Sequence, residues 1–225
     1  MNALQPLPGN PVAVKVWGDF ACFTRPEFGV ERVSYPMMTP TAAVGLLDAI
    51  FWKPEFRWRI VAIDVLRPVQ WLQVRRNEIT SRQTVRIAER WAGGADEGFD
   101  ASENRAQRAA LLLADVAYVI YAEAVLGPGT EAHPAKYRDQ LRRRVTRGQC
   151  HERPYLGCRE FPAQFTDPGA DEHAVAWDED LGPMLHSVYM GGQDHLAPAT
   201  ASPVFFQAGV RSGRLSVPSL PQGRR

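Results

Sequence analysis

The sequence predicts an α+β fold, and three features of the chain support this prediction. Short runs in which apolar residues alternate with other residues, as in strands with one buried face, occur in both halves. Two segments instead carry apolar residues one helical turn apart, and each of these segments has a proline at its start. The last third contains strand-like runs separated by turn residues, which is typical of an antiparallel sheet.

The composition is that of a folded protein. The chain has 225 residues, 45% of them hydrophobic and 23% charged, with a net charge of +1, and has room for one large domain or two small ones. No apolar run approaches the ~18 residues that span a bilayer, and the amino terminus lacks a signal pattern. We therefore expect a cytoplasmic protein with no membrane partner.

The cysteines and the absence of nucleotide-binding motifs limit the chemistry. Cys22, Cys150 and Cys158 show no CxxC spacing and are expected to be reduced thiols. There is no Walker-type or GxGxxG loop, and no further ligands stand at metal-binding spacing beside Cys150 and His151. The sequence therefore predicts no cofactor and no metal.

The first part of the chain is predicted to run strand, helix, strand, strand. Alternation over 12–16 predicts the first strand, and Pro40 begins a helix with a buried apolar stripe. Pro54 ends this helix. The β-branched and apolar runs 56–66 and 69–74 predict the second and third strands.

The next part repeats the helix and strand pattern after an interruption. The run 81–100 has adjacent glycines and no clean period, so we predict an insertion or mobile loop. Residues 115–126 predict a fourth strand, a basic helix follows over 134–148, and 154–161 predict a fifth strand. Residues 12–165 thus fit a ferredoxin-like (RRM-like) βαββαβ domain, whose sheet commonly binds RNA.

The last part is predicted to be an acidic link followed by a small C-terminal antiparallel β-sheet extension. Residues 166–180 contain six acidic residues and no Lys or Arg, which suggests a solvated link turned away from nucleic acid. Runs 185–190, 204–210 and 214–217 predict short strands, the last two joined by a hairpin turn. We expect residues 166–225 to form a second unit that closes on the first.

Positive charge is concentrated in the second predicted helix and the loop after it. Residues 136–161 contain eight basic and three acidic residues, a local balance of +5. The end of this helix carries Arg142, Arg143, Arg144, Arg147 and Gly148. Glycine suits a left-handed helix stop, and guanidinium groups and exposed turn amides both bind phosphate. We predict an RNA-binding site here; the alternative is an ordinary solvated helix face.

Several long motifs resemble a known family. They are VKVWGDFACFTRPEF near the start, VERVSYPMMTPTAAVGLLDAIFWKPEFRW over the first helix, RRNEI at 75–79, ENRAQR at 103–108 and RGQCHERPYLGCREFPAQF at 147–165. They resemble the CRISPR-associated endoribonuclease of the type I-C system, the "d" (Dvulg) subtype of the fifth Cas family within the RAMP superfamily. The resemblance covers most of residues 12–165.

This resemblance implies a function and a set of partners. It implies metal-independent cutting of CRISPR repeat RNA at the base of its hairpin, with the substrate 2′-OH as nucleophile. It implies that the protein stays on the 5′ handle of the crRNA as a subunit of the interference (Cascade) complex, beside a large subunit and a backbone subunit. Some family members also bind duplex DNA.

The resemblance also implies candidate catalytic residues. In the family, a tyrosine near the end of the first helix works with a Lys-His pair that opens the second. Here these positions are Phe51 and Lys136-Tyr137. Lys136 is expected to hold the scissile phosphate, with Tyr137 or His133 in the proton role; the alternatives are a core position for Tyr137 and a turn position for His133.

Further candidates for RNA contact lie outside the basic helix. They are Arg75, Arg76, Arg105, Arg108, Trp52 and Lys53. The alternatives are ion pairs for the arginines and a core position for the tryptophan. Since Phe51 and Tyr137 depart from the family pattern at acid/base positions, a second hypothesis is a catalytically silent RNA-binding subunit that caps the crRNA 5′ handle.

Overall fold

The secondary structure is an antiparallel sheet with a few helices. The computed structural model describes residues 2–3, 7, 10–81, 84–94, 99–191 and 200–219. Within these ranges the helices are α1 (Pro40–Ile50), α2 (Val85–Ala92) and α3 (Pro134–Thr146). The strands are β1 (Asn2–Ala3), β2 (Val12–Ala21), β3 (Arg32–Val33), β4 (Phe56–Val65), β5 (Trp71–Ile79), β6 (Arg105–Leu126), β7 (Gln164–Thr166), β8 (His173–Ala174), β9 (Glu179–Gly191), β10 (Thr200–Arg211) and β11 (Arg214–Ser216). The α+β class is confirmed.

Most strands belong to one sheet, in the order β7-β2-β6-β4-β11-β10-β9, with β3 and β5 also paired to β6. Every pairing in this sheet is antiparallel except that of β3 with β6. The 22 residues of β6 allow it to pair with β2 and β4 through one half and with β5 through the other. The strand β6 is therefore common to the central sheet and to the β5–β6 hairpin.

Two helices cover the central sheet and form the main core with it. Thr39 caps α1 by accepting a hydrogen bond from the Ala42 amide, and Pro40 occupies the first turn. The core combines alternating residues of β2 with one face of each helix. These residues are Val12, Val14, Val16, Ala43, Leu46, Leu47, Ile50, Tyr137, Leu141 and Val145. The predicted first strand and both long helices are confirmed.

Two predicted elements differ from the structure. The 81–100 segment, predicted to be an insertion or mobile loop, contains α2. The apolar side chains of this eight-residue helix share one face, but none of its residues is buried. The predicted fifth strand at 154–161 is wrong: the strand is β7. In the earlier segment the Leu156 amide bonds to the Phe161 carbonyl, which closes a turn around Gly157 with φ +83°.

Two strands extend further than their sequence patterns indicate. β5 runs to Ile79, and β6 already begins at Arg105. The added segments, 75–79 and 105–109, are mostly polar, and they form strands because they pair with each other. Ile79 lies opposite Arg105, and Arg76 lies opposite Arg108. Partner pairing can override a weak local preference for strand.

The C-terminal strands continue the central sheet through the pairing of β11 with β4. A buried ion pair joins them: Arg214 Nε lies 2.5 Å from Asp64 Oδ1, and Nη2 lies 2.7 Å from Oδ2. The Tyr121 hydroxyl donates a hydrogen bond to the same carboxylate at 3.1 Å. Asp64 is fully buried, so this pair fixes β11 against β4 and β6.

The acidic link is partly attached to the rest of the chain. Asp167 accepts a hydrogen bond from the Thr146 hydroxyl at the end of α3, and Glu172 pairs with Lys15 of β2. The link is therefore not solvated at these two carboxylates, which have partners on α3 and β2; that it is turned away from nucleic acid stays a prediction. None of the described helices is both long and apolar enough to cross a membrane.

Candidate nucleic-acid interface

The C-terminal end of α1 meets the end of α3 at a corner of the molecule. The Ile50 carbonyl accepts a hydrogen bond from Arg144 Nη1 at 2.8 Å. The Ala49 carbonyl accepts from the amides of His151 and Glu152 at 2.9 and 3.0 Å. The last carbonyls of a helix need partners from outside it. The segment that carries the arginine cluster therefore also caps α1.

Gly148 ends α3 in the predicted left-handed conformation, with φ +62°. The Gly148 amide donates to the Val145 carbonyl at 3.0 Å, and the Gln149 amide donates to the Arg144 carbonyl at 2.9 Å. This pair of bonds is the Schellman arrangement. The helix stop is confirmed, but the expectation that turn amides face phosphate is wrong here, because these N–H groups donate to carbonyls of α3.

The four arginines at the end of α3 divide into two groups. Arg144 is half-buried, with its guanidinium 5.2 Å from the centroid of the Phe51 ring in addition to its bond to Ile50. Arg142, Arg143 and Arg147 are exposed. Arg142 has a weak ion pair with Asp139 at 3.8 Å. Arg144 is thus a structural residue, and the other three present their charge to solvent.

Further exposed groups follow α1 and begin α3. Trp52 is 56% exposed, an unusual state for the largest apolar side chain. Lys53 and Lys136 are also exposed. We call Trp52, Lys53, Lys136, Arg142, Arg143 and Arg147 the corner surface. It combines an aromatic face with several cations, the combination that binds single-stranded nucleic acid.

Tyr137 is a core residue with a polar contact at its tip. The side chain is fully buried, and its ring centroid lies 4.5 Å from that of Phe56. Its hydroxyl donates a hydrogen bond to the Glu55 carboxylate. That hydrogen bond is the main cause, and burial the second, of a pKa of Tyr137 that is raised above its usual value. A phenol with a raised pKa is a weaker candidate for a base that is deprotonated at neutral pH.

Glu55 was not identified from the sequence. It lies in the loop after α1, is exposed, and its carboxylate is oriented by Tyr137. Lys136 Nζ lies 5.6 Å from the centroid of the same tyrosine ring. No spacing rule relates residue 55 to residue 137, so only the folded chain reveals that a carboxylate and an ammonium group flank Tyr137.

His133, the remaining catalytic candidate, and Phe51, which stands at the tyrosine position of the family, have structural roles. His133 caps α3, because its Nδ1 accepts a hydrogen bond from the Ala135 amide at 3.1 Å. This is the turn position that the sequence left as an alternative. Phe51 is 1% exposed, packed between Arg144 and Phe56.

The arginines of the β5–β6 hairpin lie on two faces. Arg76 and Arg108 are half-buried beside Glu78, at 2.9 and 3.7 Å. Arg76 also pairs with Glu160. The ion-pair alternative therefore describes both residues. Arg75 and Arg105 are exposed and remain candidates for phosphate contact.

Comparisons with known proteins identify the family. The model of the CRISPR-associated Cas5 proteins, Cas5d subtype, matches residues 12–218. The CRISPR pre-crRNA endoribonuclease Cas5d of Thermus thermophilus is 44% identical over 218 residues, which are 92% of this chain and 90% of the relative. The protein of the same name from Mannheimia succiniciproducens is 40% identical over 221 residues, 93% of this chain and 95% of the relative.

Solved structures share the fold. A CRISPR-associated protein superposes with a TM-score of 0.65 at 22% identity, covering 95% of this chain and 94% of the other. A functionally uncharacterized protein from Streptococcus mutans gives a TM-score of 0.64 at 20% identity, covering 93% of each chain. The family model matches nearly the whole chain, and the two relatives are 44% and 40% identical to it. The chain therefore belongs to the Cas5d family of CRISPR-associated proteins.

Proposed function

We propose that this chain is an endoribonuclease that cuts CRISPR precursor RNA and remains on the crRNA 5′ handle as a subunit of a CRISPR surveillance complex. The observation that carries the proposal is the Lys136–Tyr137–Glu55 group. It is formed by α3 and the loop after α1, the two segments that also carry the exposed cations and the exposed Trp52 of the corner surface. Both relatives are named CRISPR pre-crRNA endoribonucleases, and the match to this chain covers at least nine-tenths of each. In the complex, the large and backbone subunits are its neighbours, and duplex DNA is a further ligand for exposed cations.

The proposed reaction needs no metal. The 2′-oxygen of the RNA attacks the adjacent phosphorus, a 2′,3′-cyclic phosphate forms, and the 5′-oxygen leaves. The Glu55 carboxylate, held by Tyr137, takes the 2′-OH proton. The Lys136 ammonium group stabilises the charge that develops on the phosphate and protonates the leaving oxygen. Tyr137 is then a positioning residue and not the base.

The RNA chain on either side of the cut follows the corner surface. Arg142, Arg143 and Arg147 contact phosphates, and a base stacks on Trp52. Arg75 and Arg105 extend this path along the exposed face of the β5–β6 hairpin. Arg144 takes no part in binding, because its guanidinium is committed to Ile50 and Phe51.

We also propose that the four strands β7-β2-β6-β4, with α1 and α3, constitute a ferredoxin-like βαββαβ unit within residues 12–165. Two features support this: the strands are antiparallel neighbours in this order, and the helices connect β2 to β4 and β6 to β7. Residues 166–225 then supply the β-sheet extension, attached through β11.

A catalytically silent RNA-binding subunit is the second candidate. Two observations favour it: Phe51 has no hydroxyl and is buried, and the phenol of Tyr137 is buried with a raised pKa. This subunit would use the same corner surface to cap the 5′ handle without cutting it.

One experiment separates the two candidates. The purified chain is incubated with its cognate repeat hairpin in EDTA, and products are resolved and tested for a 2′,3′-cyclic phosphate. We expect one specific cut, a rate reduced at least ~100-fold by Lys136→Ala or Glu55→Gln, and no effect of Arg159→Ala, an exposed cation outside the corner surface. Tight binding without product supports the silent subunit.

Salt dependence tests the binding surface independently of cutting. Around six single-strand phosphate contacts predict a slope of about −4 for log affinity against log salt concentration. A slope near zero, measured by fluorescence anisotropy with labelled repeat RNA, rules out the corner surface as an electrostatic site.

A further inference from the structure

Two cysteines that are distant in sequence meet beside the β5–β6 hairpin, away from the corner surface. Cys22 follows β2 and is fully buried, whereas Cys158 lies in the 154–161 turn segment and is partly exposed. Cys158 Sγ lies 3.6 Å from the Cys22 carbonyl oxygen, and Cys158 packs against the small buried cluster that contains Cys22. The two cysteine residues are therefore in contact, and we call them the thiol pair.

The backbone holds these two segments together. The Cys22 amide donates to the Leu156 carbonyl at 3.1 Å. Gly157 adopts φ +83°, and a Cβ at this position would lie 2.0 Å from the Cys22 carbonyl oxygen. Only glycine fits this approach. The close approach of the backbone at residue 22 to the 156–157 turn is therefore a fixed property of the fold.

The surroundings make the two thiols chemically different. Arg32 Nη1 lies 3.8 Å from Cys158 Sγ. The interaction with Cys22 and then the charge of Arg32 lower the pKa of Cys158, against the opposing effects of burial and Glu160. The same contact and burial raise the pKa of Cys22. The thiolate form is thus favoured at Cys158 and disfavoured at Cys22, as in an attacking and a resolving cysteine.

We propose that Cys158 and Cys22 are an oxidation site, at which a peroxide oxidises Cys158 and Cys22 then closes a reversible disulfide. Cys158 sulfur attacks one peroxide oxygen, the O–O bond breaks, and sulfenic acid and hydroxide form, the latter taking a proton to become water. Cys22 sulfur then attacks Cys158 sulfur, the S–O bond breaks and a second water leaves with the Cys22 proton. Two thiols and one hydrogen peroxide give one disulfide and two waters.

The site lies at the base of the β5–β6 hairpin. Arg32, beside Cys158, also lies 3.5 Å from Glu78 of β5 and 3.5 Å from Glu160. Conversion of the thiolate to a disulfide removes a negative charge from this group of ion pairs. The oxidation therefore changes the charges that hold the hairpin to the 154–161 segment.

The test uses the full chain and hydrogen peroxide, with Cys150 as internal control because it is an exposed free cysteine. We expect the intact protein to lose the mass of two hydrogens, peptide mapping to place the bond between Cys22 and Cys158, and dithiothreitol to reverse it. Cys150→Ser should leave the reaction unchanged. Cys22→Ser should stop at a sulfenic acid on Cys158, which dimedone traps.

A second measurement does not depend on any variant. Alkylation of the native chain at pH 6.5 should label Cys158 several-fold faster than Cys150, because Arg32, 3.8 Å from Cys158 Sγ, favours the reactive thiolate there. Equal labelling of the two cysteines, or peroxide treatment that leaves the count of free thiols unchanged, overturns the proposal. Neither measurement requires the proposed RNA cleavage.

Discussion

Two adjacent arginines of α3 should respond in opposite ways to the same substitution. Arg144→Ala removes the charged hydrogen bond to the Ile50 carbonyl and the contact with the Phe51 ring. A hydrogen bond from a charged group contributes about 1.5–3 kcal/mol, and a partly exposed cation–π contact about 0.5–1 kcal/mol. Because Arg144 is half-buried and not fully enclosed, we expect the lower part of this sum, about 2–3 kcal/mol of unfolding free energy.

In a chain of 225 residues each kcal/mol lowers the midpoint of thermal unfolding by about 2–4 °C, so Arg144→Ala should unfold about 4–12 °C below the wild type. Arg143→Ala is the matched control, because Arg143 is exposed on the same helix. Its stability should change by no more than about 0.5 kcal/mol, while the log–log salt slope for RNA binding becomes less negative by about 0.7.

The measurements are thermal unfolding followed by circular dichroism and RNA binding by fluorescence anisotropy at several KCl concentrations. If Arg144→Ala melts at the wild-type temperature, the capping role of Arg144 is refuted. If Arg143→Ala keeps the wild-type salt slope, Arg143 makes no phosphate contact.

Further predictions concern stability elsewhere in the chain. Arg214→Ala leaves the carboxylate of Asp64 buried without its ionic partner, and should lower the free energy of unfolding in urea by about 3 kcal/mol. Arg211→Ala, which breaks an exposed pair with Asp180, should lower it by less than about 0.5 kcal/mol. Equal losses in the two variants would refute the role of burial. Burial raises the pKa of Asp48 to about 6, so the folded state holds this proton more tightly than the unfolded state, and stability falls as pH rises from about 4 through 6. Asp48→Asn should therefore be more stable than the wild type at pH 7, by up to about 3 kcal/mol, and equal to it at pH 4; unfolding midpoints that differ equally at both pH values would contradict this.

The helices with a buried stripe were predictable from sequence, and the exposed one was not. α1 and α3 each place apolar residues against the sheet, and a cap or glycine marks an end of each. α2 also has its apolar residues on one face, but it spans only eight residues and buries none of them, so its pattern was too short to indicate a helix. The N-terminal half of β6 is strand because of its pairing with β5, a long-range contact that local patterns do not encode.

The corner surface was predictable in composition but not in detail. The cluster of charge was visible, and the helical period could have shown that Arg144 differs: it stands three residues after Leu141 and seven after Tyr137, on their buried face. Glu55 had no such indication, because its contact with Tyr137 joins a loop to a helix 82 residues away.

The irregularity at Asp115 in β6 determines which side of the molecule the hairpin arginines face. Asp115 has φ +51°, and Leu113 and Val116, three residues apart, both pack into the main core. Side chains of a regular strand would alternate, so the phase of alternation changes at Asp115. Arg105, an even number of residues before Leu113, therefore emerges on the face that continues into the helix-covered side. Without that change of phase, Arg75 and Arg105 would be directed to the surface opposite the helices. The proposed path of one RNA strand would then not reach both these arginines and the cations of α3.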